Sequence, residues 1–169
     1  MDKRIEIHKG DITKLKVDAI VNAANTSLLG GGGVDGTIHR AAGPELLEFN
    51  RKLGSCNTGE AKISPGFNLP SKFIIHAVGP VWNGGKNNED VLLANCYRNS
   101  LKLAVENNIK TIAFPAISTG VYRFPLERAT KVAMREVKKF LEKNESIEKI
   151  IFACFDEEKY KVYENILNA

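Results

Sequence analysis

Much is scarce in these 169 residues. Three cysteines, Cys56, Cys96 and Cys154, show no C-x-x-C spacing, which excludes a disulfide framework and a thiolate metal site. The three histidines, His8, His39 and His76, share no ligand spacing. No apolar run approaches the length of a membrane span, and the opening MDKRIEIHKGD has no apolar signal-peptide segment. Lys and Arg exceed Asp and Glu by only 24 to 20 and are scattered, so no basic run of the nucleic-acid-binding kind exists. The expectation is a cytoplasmic monomer with reduced thiols, no metal, no cofactor, no membrane attachment and no nucleic-acid partner. Its mild net charge of +4 suits a small anionic ligand.

What is present reads as one α/β domain over 1–169. Hydrophobic residues make up 43% and charged residues 26%, ordinary for a packed core. Ile5 and Ile7 alternate with polar residues in a first strand, and AIVNAA (19–24) is nearly all apolar, as a strand covered on both faces should be. Val34, Ile38, Ala41 and Ala42 have helical spacing; Gly43-Pro44 then restarts the chain into a helix over ELLEFNRKL. Strands are expected over 59–65, 73–78, 111–116 and 149–154. Helices are expected over 89–107 and 126–141, with a last one from Asp156. Strands alternating with helices predict an α/β sandwich around a largely parallel sheet, with ligands gathering outside the carboxyl ends of the strands. Four loops leave such ends: GDIT, the glycine loop, STGVY and the segment at Phe155.

The glycine loop, NTSLLGGGGVDG (25–36), contains a G-x-G-x-x-G spacing at Gly31, Gly33 and Gly36. A dinucleotide fingerprint needs those glycines directly after a strand, and an acidic residue ending the next strand about 20 residues on. Six residues intervene here and no strand ends near residue 55, so the match is discounted. No Gly-Lys-Ser/Thr follows, which excludes a nucleotide-hydrolase phosphate loop. Bare glycines before a helix at Val34 still form a cradle of backbone N–H groups for an anion. Ser118, Thr119, Gly120, Val121 and Tyr122 form a second, and two facing cradles suit a diphosphate.

Asp11 reads either as a turn carboxylate with Thr13 or as an acceptor for an exocyclic amine; spacing alone favours the turn. Asp35 reads either as a first-turn carboxylate or, beside an anion cradle, as a group acting on water or a ribose hydroxyl. Asn25 is an Asx turn or a diol contact. His39 and His76 read as satisfied structural histidines, Cys154 as core and Trp82 as packing.

Together, NAANTSLLGGGGVDGTIHRAAG, GDIT and PAISTGVYRFP resemble the macrodomain family, in particular its MacroD-type ADP-ribosyl hydrolases. The resemblance runs the length of the chain. It implies a three-layer α/β/α sandwich on a mixed, largely parallel sheet, with ADP-ribose in a cleft at strand ends. By resemblance, Asp11 accepts from the adenine amine with the Ile12 backbone nearby, and Phe155 stacks on adenine. Gly32, Gly33 and Val34 on one side, and Ser118 through Tyr122 on the other, hold the diphosphate. Asn25 contacts the distal ribose, Asp35 acts near its anomeric carbon and Tyr122 packs over that ribose. The implied reaction is hydrolysis of ADP-ribose esters, on mono-ADP-ribosylated acidic side chains of proteins and on O-acetyl-ADP-ribose. A non-catalytic ADP-ribose reader is the alternative; the Asn25–Asp35 pair favours the enzyme.

Overall fold

A computed structural model describes residues 2–169. Six strands form one sheet: β1 (Ile5–Lys9), β2 (Ala19–Ala24), β3 (Ala61–Pro65), β4 (Phe73–Val78), β5 (Thr111–Phe114) and β6 (Lys149–Cys154). Their order is β1-β6-β5-β2-β4-β3, parallel except for β3 against β4. The helices are α1 (Gly33–Ala42), α2 (Pro44–Leu53), α3 (Glu89–Glu106), α4 (Leu126–Lys143) and α5 (Glu157–Leu167).

The period of two along each strand divides these helices into two layers. Ala19, Val21, Ile75, Ile112, Phe114, Ile150 and Phe152 face α3, α4 and α5 in one core cluster. Their neighbours Ile20, Ile74, Ala113 and Ile151 face the other way, onto Ile38 and Ala42 of α1 and Leu46 of α2. The result is the three-layer α/β/α sandwich on a mixed sheet. Both faces of the central strands are covered, which is why AIVNAA and FIIHAV are apolar but for Asn22 and His76. On the larger side Tyr97, Phe114, Phe152 and Tyr163 stack in sequence, with centroids 5.0 to 6.0 Å apart along the row. Truncating one such buried ring, Phe114→Ala, should destabilise the fold by about 3–5 kcal/mol.

Some boundaries differ from expectation. β5 stops at Phe114 rather than Ala116, since Pro115 has no N–H for a ladder and the chain turns there with Ile117 N donating to Pro115 O at 3.0 Å. β3 begins at Ala61, because Gly59 and Glu60 turn into it. Trp82 packs on Phe124 at 4.8 Å under the Arg128 guanidinium, the packing role its sequence context suggested. Among the described residues no helix is long and apolar enough to cross a membrane.

Candidate functional site

The parallel strands end on one rim, and there a cleft of about 380 Å³ opens over the carboxyl ends of β2, β5 and β6. The glycine loop forms one wall. Its shape depends on Asn25, whose Oδ1 accepts from Ser27 N, Ser27 Oγ and Leu28 N at 3.2, 2.6 and 3.1 Å. Asn25 Nδ2 donates to Gly30 O at 2.9 Å. It is an Asx turn, as its residue type suggested, and it also lines the cleft, with one amide hydrogen still uncommitted.

Gly33 has φ +58°, a left-handed backbone that few side chains tolerate. Added Cβ atoms at Gly32 and Gly33 would meet nothing within 4 Å, so these residues present bare backbone. α1 begins there with no side-chain cap, leaving the N–H groups of its first turn for an anion.

The opposite wall is the loop from Ser118 to Tyr122. Phe124 N donates to Ser118 O and Arg123 N to Gly120 O, both at 2.9 Å, and Trp82 N donates to Tyr122 O at 2.8 Å. Among the described residues, the N–H groups of Gly120, Val121 and Tyr122 donate to no protein acceptor. They form a second unfilled set of donors across from the first. Gly79 is required behind this loop: a Cβ on it would lie 2.1 Å from Ser118 Oγ. The next segment is fixed by buried Glu89, which accepts from the N–H groups of Asn83, Gly85 and Asn87 at 2.8, 3.0 and 2.6 Å. Burial raises its pKa, but these donors hold it down, at about 2.

Phe155 stands at the end of β6, half exposed, and lines the cleft with Lys159, among the described residues the one cationic side chain in it. Asp156 caps α5 through Lys159 N at 2.9 Å and pairs with its ammonium at 3.0 Å. Asp11 and Ile12 do not line the cleft. Asp11 takes the turn role, accepting from Thr13 N and Oγ1 at 2.9 and 2.7 Å, and the Ile12 side chain is buried in the core. The other residues singled out, Asn25, Gly32 through Asp35, Ser118 through Tyr122 and Phe155, come together around one space.

Asp35 lies at the glycine-loop end, only 5% exposed. Its Oδ1 accepts from Asn22 Nδ2 at 2.8 Å, and His39 Nε2 is 3.4 Å from the same oxygen. Its Oδ2 lies toward Gly31, where an added Cβ would come within 3.2 Å. Burial raises the Asp35 pKa above the ordinary carboxylate value, against the opposing pull of Asn22 and His39. His39, four residues after Asp35, approaches that carboxylate along one helix face, a spacing the sequence displayed, though its buried Nε2 makes no hydrogen bond. His76 is the satisfied histidine that its place in an apolar strand suggested, hydrogen-bonded to Ser64 and Asn22, whereas Asn22 was missed. Its signal was a polar residue inside an apolar strand.

A macro domain model matches residues 21–133 of the chain. An O-acetyl-ADP-ribose deacetylase of Escherichia fergusonii is 55% identical over 171 residues, covering 99% of this chain and 97% of that protein. An ADP-ribose glycohydrolase of Xenopus laevis is 56% identical over 168 residues, covering 98% of this chain and 40% of that protein. A Trypanosoma brucei macrodomain solved in complex with ADP-ribose superposes with a TM-score of 0.93 at 45% identity, over 98% of this chain and 69% of that one. With over half its length matched by that model and full-length relatives at such identity, the chain belongs to the macrodomain family.

Proposed function

We propose that this protein binds ADP-ribose in the cleft and hydrolyses its esters, releasing mono-ADP-ribose from acidic side chains of proteins and acetate from O-acetyl-ADP-ribose. The observation that carries this reading is the pairing of two facing sets of unclaimed backbone N–H groups with a buried carboxylate at one end. The N–H groups suit a diphosphate, which they can hold without any cationic side chain between them. The half-exposed Phe155 ring suits adenine. Asp11 reaches that base only beyond the cleft lining described above. The distal ribose then falls at the glycine-loop end, with the remaining Asn25 N–H for a hydroxyl, Tyr122 over the sugar and Asp35 Oδ2 for water.

In hydrolysis, the water oxygen forms the new bond at the ester-bearing centre as the old C–O bond breaks, and the water proton passes to a base. Burial raises the pKa of Asp35, making it a better proton acceptor than an exposed aspartate, and such a base contributes about 10²–10⁴-fold. The macrodomain family and the names its relatives carry support the same chemistry. The test is calorimetric binding of ADP-ribose beside release assays with a Glu-ADP-ribosylated protein and with O-acetyl-ADP-ribose. Tight binding without turnover of either ester would make the protein a reader and refute the hydrolase.

A further inference from the structure

Asn22 on β2, His76 on β4 and Ser64 on the edge strand β3 lie across three neighbouring strands with 0%, 0% and 2% exposure. Three buried polar side chains are unfavourable unless their hydrogen bonds are made. Those bonds join the three side chains into one row that ends on Asp35. Ser64 Oγ donates to Pro65 O at 3.1 Å, and His76 Nε2 lies 2.9 Å from Ser64 Oγ. With the hydroxyl proton on Pro65 O, the Ser64 oxygen accepts from His76 Nε2–H. His76 is neutral, burial and then His39 having pushed its pKa down to about 3. A neutral imidazole has one N–H, so His76 Nδ1 is an acceptor. Asn22, its register partner on β2, lies with Nδ2 3.1 Å from that nitrogen and 2.8 Å from Asp35 Oδ1. Both amide hydrogens are thereby committed. Turning the amide over would set Asn22 Oδ1 against two lone pairs at once.

We infer that His76 and Ser64 are positioning residues for Asp35. By fixing one imidazole tautomer they hold Asn22 as a donor to Asp35 Oδ1, which favours the ionised carboxylate and leaves Oδ2 as the oxygen facing Gly31 and the cleft. This rests on the role given to Asp35 above. The row is not the packing optimum, since Asn22 Oδ1 is buried without a protein partner, a penalty an apolar side chain would avoid. The titratable groups that face Asp35 are His39 on its own helix and, through Asn22, His76 on β4. The α2 helix and the 3-10 turn Ile12–Lys14, both packed on α1, bring apolar Leu46 and Ile12 to the same cluster.

The test is the titration of Asp35 itself, followed by its carboxyl ¹³C resonance in the ligand-free protein. Beside it runs the pH–rate profile for release from a Glu-ADP-ribosylated protein. Ser64→Ala leaves His76 Nε2–H without an acceptor and frees the tautomer. Asn22 can then present Oδ1 to a protonated Asp35, so both the titration and the acid limb should move up by about one pH unit. Rate below the limb falls about tenfold, while kcat at neutral pH and the Kd for ADP-ribose stay within about twofold. Ser64→Thr retains the hydroxyl and should titrate like wild type, and His76→Phe should shift as Ser64→Ala does. A uniformly lowered profile with an unmoved limb, and an unmoved Asp35 resonance in Ser64→Ala, would overturn the proposal. The resonance needs no turnover: if the wild type never hydrolyses ester, the proposed reaction fails while the titration still judges the row.

Discussion

Phe155→Ala is the sharpest probe of which end of the cleft holds the base. The ring is 50% exposed in the free protein. A phenylalanine side chain carries about 200 Å² of surface, so about 100 Å² awaits cover. An adenine over one face removes about half of that from water, worth about 1.2 kcal/mol at 25 cal/mol per Å². Stacking adds about 0.5–1.5 kcal/mol beyond area. Together about 2 kcal/mol is lost in the variant, roughly a 30-fold weaker Kd for ADP-ribose. Ribose 5-phosphate lacks the base and should compete as well against the variant as against wild type. Phe155 packs against no core cluster, so the fold should be unaffected. Calorimetry with ADP-ribose and a competition series with ribose 5-phosphate measure both. Equal losses for the two ligands would refute the placement of adenine at Phe155.

Gly120 has no left-handed φ and open space around an added Cβ, so Gly120→Val should fold normally yet bind ADP-ribose at least tenfold more weakly; an unchanged Kd would dismiss the second cradle. Asp35→Ala should bind ADP-ribose about as well as wild type and release it from Glu-linked protein about 10²–10⁴-fold more slowly, as single-turnover assays would show. Because burial holds the Asp35 pKa above its unfolded value near 3.8, the folded protein binds the extra proton and loses stability as pH rises through that window. Asp35→Asn should therefore melt higher than wild type at pH 7, with the difference closing below pH 3.8; calorimetric scans across pH decide it. Asn25→Ala removes four hydrogen bonds that shape the glycine loop, so affinity and rate should fall together, which paired calorimetry and release assays would reveal.

The layers were legible because helical and strand periods do not resemble each other. Val34, Ile38 and Ala42 could face a sheet only from a helix, and AIVNAA could be covered on both sides only in a sheet's interior. The bare-backbone wall at the end of β2 was legible too, as a run of glycines directly before a helix. What stayed hidden was pairwise. Asn22 and His76 stood out as polar residues in apolar strands, but that they are register partners follows from β2 pairing with β4, a contact 54 residues apart in the chain. Asp35 read as a carboxylate beside a cradle; that it is buried follows from α1 seating Ile38 against the sheet, which draws the first turn beneath the loop. Asp11 illustrates the converse. Its local turn was legible in GDIT, whereas its place beside the end of β6, where Gly10 N donates to Cys154 O at 2.9 Å, follows from β1 pairing with β6.

The position of β1 at the sheet edge has an engineering consequence. β1 runs toward the rim alongside β6, and α5 leaves the rim beside Lys9, where Glu157 pairs with it at 2.7 Å. The helix then runs back against β1, so that Leu167 joins the same cluster as Ile5. Both ends of the described residues, 2 and 169, therefore lie at the end of the sheet opposite the cleft. A fluorophore domain, a surface anchor or a second catalytic module can be joined to either end, or to both, and the mouth of the cleft stays clear for a bulky modified protein to approach.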